Sequence, residues 1–317
     1  MKVCVIKTSS MGDVIHTLPA LTDAQKAIPS LSIDWVVEEN FAEIPRWHSA
    51  VNRVIPIALR RWRKSPFSIQ TRNEWKNYRT LLQAKNYDAV IDAQGLFKSA
   101  FFATRLANGI KHGYDRKSIR EPIASFFYDK KYAISYQQHA VERIRQLFSQ
   151  ALSYPLPKGK GDYDIARHFI SVDAIKPYVL FFHATTRDEK HWPEREWRNL
   201  IEKLTALSIQ VRLPWGNEKE KTRAERLAVG LSHVVVLPRL SLHELAEQIA
   251  NAKAVVSVDT GLAHLTAALD KPNITLYGAT DPKLIGCYGK NQHYLSASSM
   301  ENIKSDQVFS MLNLLIK

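Results

Sequence analysis

Nine short, mostly apolar runs of five to eight residues punctuate this chain, with amphipathic segments between them. The first four are "VCVIK", "IDWVVEE", "RVIPIAL" and "YDAVIDAQ"; the last five are "YVLFFHA", "IQVRLPW", "HVVVLP", "AVVSVD" and "NITLYG". Runs this short cannot carry a helical core. Alternating with helical periodicity, they predict parallel strands covered by helices on both faces. Between the two groups lies "SYPLPKGKGDYDI" (153–165), rich in Pro, Gly and charge, where a chain passes between domains. A length of 317 residues suits two such domains. The expected class is α/β, with two Rossmann-like doubly wound domains facing a cleft, the first over 1–165 and the second over 166–300. "SLHE" predicts a helix start, with Ser241 as N-cap and Glu244 three residues on.

In doubly wound sheets ligands gather beyond the carboxyl ends of the strands, so those ends carry the functional reading. "SVDTGLAH" runs from a strand through Asp259 and the Thr260–Gly261 turn into a helix containing His264. Free backbone N–H groups at such a helix start favour an anion, and Gly261 permits close approach. "HATTRDEKHWP" follows another strand of the same domain. Its Thr185 and Thr186 hydroxyls and the Lys190 ammonium suit phosphate oxygens. After "IQVR", Glu220 is placed to accept from ribose hydroxyls, and Leu240 to pack on a base.

The charge is unevenly spread. Residues 51–150 hold 19 Lys and Arg against 7 Asp and Glu, whereas the remaining 217 residues hold 25 against 24. A localised cationic field predicts an anionic partner. "LRRWRKSPF" packs Arg60, Arg61, Arg63 and Lys64 around Trp62 with no acid close in sequence. Arg116, Lys117, Arg120, His139, Arg143 and Arg145 extend the basic third. The phosphate-facing loops lie in the other, neutral half, and no nucleic-acid module is present, which argues against nucleic acid. The first strand lacks GxGxxG and no Tyr-x-x-x-Lys pair is suitably placed, which argues against a nucleotide-sugar epimerase. Cys4 and Cys287 make no disulfide framework or metal spacing and read as reduced thiols. The opening "MKVCVIKTSS" has too short an apolar core for a signal peptide, and no run reaches the ~20 residues of a membrane span.

"KTSSMGDVIHTLPAL", "RRWRK", "DAQGLFKSA", "HATTRDEKHWP" and "SVDTGLAHLTAALDKPNITLYGATDP" together resemble the lipopolysaccharide heptosyltransferases of glycosyltransferase family 9. The resemblance implies a GT-B fold whose final helix (301–317) packs back on the first domain. It implies an inverting transferase that moves L-glycero-D-manno-heptose from ADP-heptose to the inner Kdo of Kdo2–lipid A, the alternative being a later core position. No metal or other cofactor is implied, and the chain has no DxD motif apart from "DYD" (162–164) in the linker. Inversion is a single displacement, so one base must take the proton of the attacking hydroxyl. Asp13, in a small-residue loop at a strand end, is the expected base, with Ser10 and Gly12 beside the acceptor. Thr185, Thr186, Lys190, Glu220, Leu240, Asp259, Thr260, Gly261 and His264 would bind ADP-heptose. Arg60, Arg63, Lys64, Arg120 and His139 would bind the acceptor. The expected protein is a monomer, peripheral on an anionic membrane surface at the cytoplasmic face, without nucleic acid.

Overall fold

The computed structural model describes residues 1–169, 176–278 and 280–317. The chain divides into two units, Met1–Asp164 and Ile165–Lys317. The first holds β1 (Lys2–Ile6), β2 (Ser32–Glu38), β3 (Val51–Ile57), β4 (Ala89–Asp92), β5 (Lys111–Tyr114) and β6 (Lys130–Tyr132). All are parallel, in the order β3-β2-β1-β4-β5-β6. The second holds β7 (Tyr178–Phe182), β8 (Gln210–Leu213), β9 (Val234–Val236), β10 (Ala254–Val258), β11 (Asn273–Tyr277) and β12 (Gln292–Ser296). These too are parallel, in the order β12-β11-β10-β7-β8-β9.

Numbered within its own unit, each sheet runs 3-2-1-4-5-6, the dinucleotide-binding order, and reverses direction beside its first strand. The switch points are therefore β1/β4 in the first unit and β7/β10 in the second. β4, β7, β10 and β11 are buried along their whole length, because helices cover both faces of the sheet. The helix Glu194–Thr205 shows how. Its Trp197, Leu200, Ile201 and Leu204 recur at helical spacing and are buried, with Trp197 edge-on to Trp192 at 4.9 Å.

The last helix contributes to the core of the second unit. Ser305–Leu315 packs on Glu194–Thr205 of its own unit, and Val308 and Leu312 join that unit's core with Leu200, Leu204 and Val256. Two contacts pin its start. Trp192 Nε1 donates to the Ile303 carbonyl at 2.9 Å, and the buried Glu196 carboxylate accepts from Ser305 N at 2.9 Å. A carboxylate at a helix N-terminus satisfies an otherwise unpaired amide and meets the positive end of the helix dipole.

Candidate active site

In the first unit the chain leaves β1 at Lys7 and β4 at Ala93, and side chains from both exits lock together. Lys7 Nζ, almost fully buried, donates to the Ala93 carbonyl at 2.9 Å. The Gln94 amide oxygen accepts from Thr8 N at 2.9 Å and from Ser9 N at 3.0 Å. Beneath them buried Asp92 accepts from Gln94 N, Gly95 N and Thr104 Oγ1 at 2.9, 3.0 and 2.8 Å. Gly95 serves this turn with φ +67°, a conformation that side chains disfavour. Burial raises the Asp92 pKa.

Asp13 stands above this platform in the short helix Met11–Ile15. Its Oδ2 accepts from Ser10 N at 2.7 Å and Ser10 Oγ at 3.0 Å, while Oδ1 is 3.7 Å from Lys7 Nζ. The side chain remains 44 % exposed, so the carboxylate is oriented by neighbours and still open to a ligand. Burial lowers the Lys7 pKa, and the Asp13 and Asp92 carboxylates oppose that shift. Gly12 is buried behind Asp13. At the far end of the same helix the His16 ring meets His139 edge-on at 5.4 Å.

Beside the loop opens a cavity of about 450 Å³, lined by Thr8 and Ser9 and by the cationic Arg60, Arg63, Arg72 and Lys98. Glu38 also lines it. Its Oε1 accepts from Arg60 N at 2.9 Å, and burial raises its pKa. Of the expected acceptor residues, Arg60 and Arg63 line this cavity, whereas Lys64 and Arg120 are exposed and do not. Arg61 corrects the reading of an acid-free cluster. Glu39 and Glu74, remote in sequence, each meet its guanidinium at 2.9 Å. Trp62 donates to Glu74 at 2.6 Å and is buried against Trp75 and Tyr78. Arg145 is likewise structural: it is buried, 2.6 Å from Asp23 and 3.0 Å from Glu142.

The second unit repeats the pattern at β7/β10. Lys190 Nζ meets Asp259 Oδ2 at 2.5 Å, and Thr185 Oγ1 donates to the Asp259 carbonyl at 3.3 Å. His191 Nε2 lies 3.0 Å from the Thr185 carbonyl; a carbonyl only accepts, so this nitrogen carries the proton. Thr186 is exposed. Thr260 is N-cap of the helix Gly261–Ala268; its hydroxyl makes no cap hydrogen bond, and its carbonyl accepts from Ala263 N at 3.1 Å. His264 is buried, with Nδ1 3.9 Å from Cys287 Sγ. Thus Thr185, Lys190, Asp259, Thr260 and Gly261 come together.

Glu220 and Leu240 lie beyond β8 and β9. The Glu220 carboxylate accepts from Gly216 N and Asn217 Nδ2, both at 2.7 Å, so it already shapes its own turn. Leu240 is half-buried before Ser241, which caps the helix Leu242–Asn251 with Glu244 as expected. Sequence reasoning passed over Lys7, Gln94, Glu38, Arg72 and Lys98. Lys7 and Gln94 stand in motifs already quoted, directly after apolar runs, and that position is the signal that could have found them. Among the described residues no cluster of His, Cys, Asp or Glu could hold a metal ion, and no helix is long and apolar enough to cross a membrane.

The chain is 58 % identical over 318 residues to lipopolysaccharide heptosyltransferase 1 of Escherichia coli K12, covering 99 % of both. Its structure matches that of E. coli heptosyltransferase WaaC with ADP at a TM-score of 0.97 and 57 % identity, covering 99 % of this chain and all of that one. WaaC with ADP-2-deoxy-2-fluoro heptose matches at 0.93, again at 57 % identity, over 99 % of both chains. The two-sheet architecture is that of a GT-B glycosyltransferase. The model of glycosyltransferase family 9 (heptosyltransferase) matches residues 75–313, and the chain belongs to that family.

Proposed function

We propose that the chain transfers L-glycero-D-manno-heptose from ADP-heptose to the inner Kdo of Kdo2–lipid A, with inversion, in lipopolysaccharide inner-core biosynthesis. The observation that carries this reading is the division of labour between the two switch points. One holds an oriented, accessible carboxylate beside a cationic cavity; the other gathers a lysine, a threonine hydroxyl and a helix start. The relatives' names and the nucleotide and nucleotide-sugar analogue in the WaaC structures agree with it.

In the displacement, the acceptor hydroxyl attacks the anomeric carbon as the bond to the β-phosphate oxygen breaks. Asp13 takes the hydroxyl proton and ADP leaves with the bonding pair. Lys190, the Thr185 and Thr186 hydroxyls and the amides at Thr260–Gly261 stabilise the charge that develops on the diphosphate. Asp259 and His264 hold the heptose and phosphate, Glu220 and Leu240 the nucleoside. Because Asp259 already grips Lys190, the arriving phosphate either joins that pair or displaces the carboxylate. Arg60 and Arg63 lead the acceptor contacts, with Lys64, Arg120 and His139 contributing from outside the cavity and Ser10 and Gly12 beside the base. Kdo carboxylates and lipid A phosphates suit these cations. The chain acts as a monomer, peripheral on the cytoplasmic face of the inner membrane and without a metal.

The test is ADP release by the purified chain with ADP-heptose and either Kdo2–lipid A or a heptosylated acceptor. Turnover of Kdo2–lipid A is the expected result; turnover of the heptosylated acceptor alone overturns the reading.

A further inference from the structure

Four large apolar side chains of the first unit are more than half exposed: Phe67 at 83 %, Ile69 at 77 %, Ile123 at 54 % and Phe126 at 73 %. All four fall within the basic third of the chain. Phe67 and Ile69 flank Ser68, which N-caps the helix Ile69–Gln83 by accepting from Thr71 N at 3.1 Å. The cap fixes the backbone from which both side chains project.

A residue preceding an N-cap ordinarily packs on the fourth helical residue, a hydrophobic staple. Here that fourth residue is Arg72, which lines the cationic cavity with Arg63 and Pro66. Phe67 therefore has no staple to make, and folding does not account for its presence. Around it stand exposed Arg63, Lys64 and Arg72. An apolar pair on a capped turn, with cations close by in sequence and with Pro66, Thr71 and Arg72 on either side of it lining the cationic cavity, matches an anionic bilayer surface. Ile123 and Phe126 lie on the 3-10 helix Pro122–Phe127, whose Phe127 meets Phe97 at 6.0 Å; the next residue, Lys98, also lines the cavity.

We propose that Phe67 and Ile69 insert into the apolar layer of an anionic membrane while Arg63, Lys64 and Arg72 engage its headgroups, docking the cavity at the surface where a lipid-linked acceptor emerges. The proposal rests on the acceptor reading given above.

The test uses the full chain and vesicles of phosphatidylethanolamine and phosphatidylglycerol. Phe67→Ser combined with Ile69→Ser is expected to lower partition onto these vesicles about tenfold. Both side chains are exposed, so the unfolding temperature stays unchanged, and Phe67→Trp with Ile69 intact keeps full partition. The rate on Kdo2–lipid A embedded in vesicles falls with partition, while the rate on its deacylated, water-soluble counterpart does not. Unchanged partition of the double variant overturns the proposal, and so does an equal loss of rate on both acceptors. Failure of the acceptor reading looks different: the unsubstituted chain then turns over neither acceptor, while partition onto lipid alone still reports the wedge.

Discussion

Lys190 Nζ stands 2.5 Å from Asp259 Oδ2, an ion pair that ties the loop after β7 to the turn after β10 at the point where the sheet reverses. Lys7 bridges the matching point of the first unit, from the exit of β1 to the Ala93 carbonyl after β4. Each switch point thus carries a buried or half-buried lysine and an aspartate within reach of it. Their surroundings differ. Lys7 is nearly enclosed and its Asp13 partner is open, whereas Lys190 and Asp259 are 20 % and 13 % exposed. In the proposed function the open carboxylate suits proton transfer, and the lysine of the second pair suits an incoming anion.

Lys190→Ala is therefore expected to lower kcat/KM for ADP-heptose by about 10²–10³-fold, as loss of a charge-stabilising donor does elsewhere. Steady-state kinetics with the donor varied check this, and a loss under about threefold removes Lys190 from the role.

Asp13→Asn keeps an oxygen to accept from Ser10 and loses the basicity. A drop in kcat of about 10²–10⁴-fold is expected, with ADP affinity unchanged. Asp13→Ala also loses the two Ser10 contacts and costs about 1 kcal/mol in stability. Comparing the two by calorimetric ADP titration and thermal unfolding separates base from cap; substantial turnover by the asparagine variant excludes the base role.

Fully buried strands such as "YVLFF" and "AVVSV" were legible because burial on both faces leaves an unbroken apolar run. β5 "KHGY", β6 "KKY" and β12 "QHYLS" were not, since lateral strands keep polar and charged residues. The cluster at the second unit's switch point was legible as strand ends, because Thr185, Lys190, Asp259 and Thr260 follow unbroken apolar runs. The basic third was legible only as a sum. Arg61 and Arg145 carry the same letters as Arg60 and Arg63, yet Glu39 and Glu74 neutralise the first, and Asp23 from far away in the sequence and Glu142 from one helical turn away neutralise the second. The Val308–Leu312 face of the last helix has no sequence mark naming the core it joins.

The cavity separates the remaining cations. Arg63→Ala is expected to raise the acceptor KM about tenfold, the effect of losing one charge-assisted contact, and Lys64→Ala less than threefold. Donor KM stays constant in both. Equal effects of the two substitutions, measured with Kdo2–lipid A varied, would detach acceptor binding from the cavity.

His183 follows β7 and is fully buried, and burial with the nearby Arg223 guanidinium lowers its pKa from 6.5 to about 4. The folded chain keeps this imidazole neutral where the unfolded chain protonates it. Stability is therefore complete above pH about 6.5 and falls as pH drops towards about 4, by up to about 3 kcal/mol. Urea unfolding across that window should show the slope in the native chain and a flatter one in His183→Gln; identical slopes would assign the acid loss to other groups.

Arg145 tests how the basic third is divided between fold and ligand. Its guanidinium is 2 % exposed and meets Asp23, Glu142 and the Gly159 carbonyl, the last at 2.8 Å. Removing it leaves the Asp23 carboxylate, 7 % exposed, without its cation. Breaking such a buried pair from one side costs about 3–5 kcal/mol. In a unit of this size each kcal/mol lowers the unfolding temperature by about 2–4 °C, so Arg145→Ala should unfold roughly 6–20 °C earlier. Below that temperature its acceptor KM should match the native value. Asp23→Asn combined with Arg145→Ala removes the stranded charge and should recover part of the loss. A raised acceptor KM at unchanged unfolding temperature would instead return Arg145 to the acceptor site.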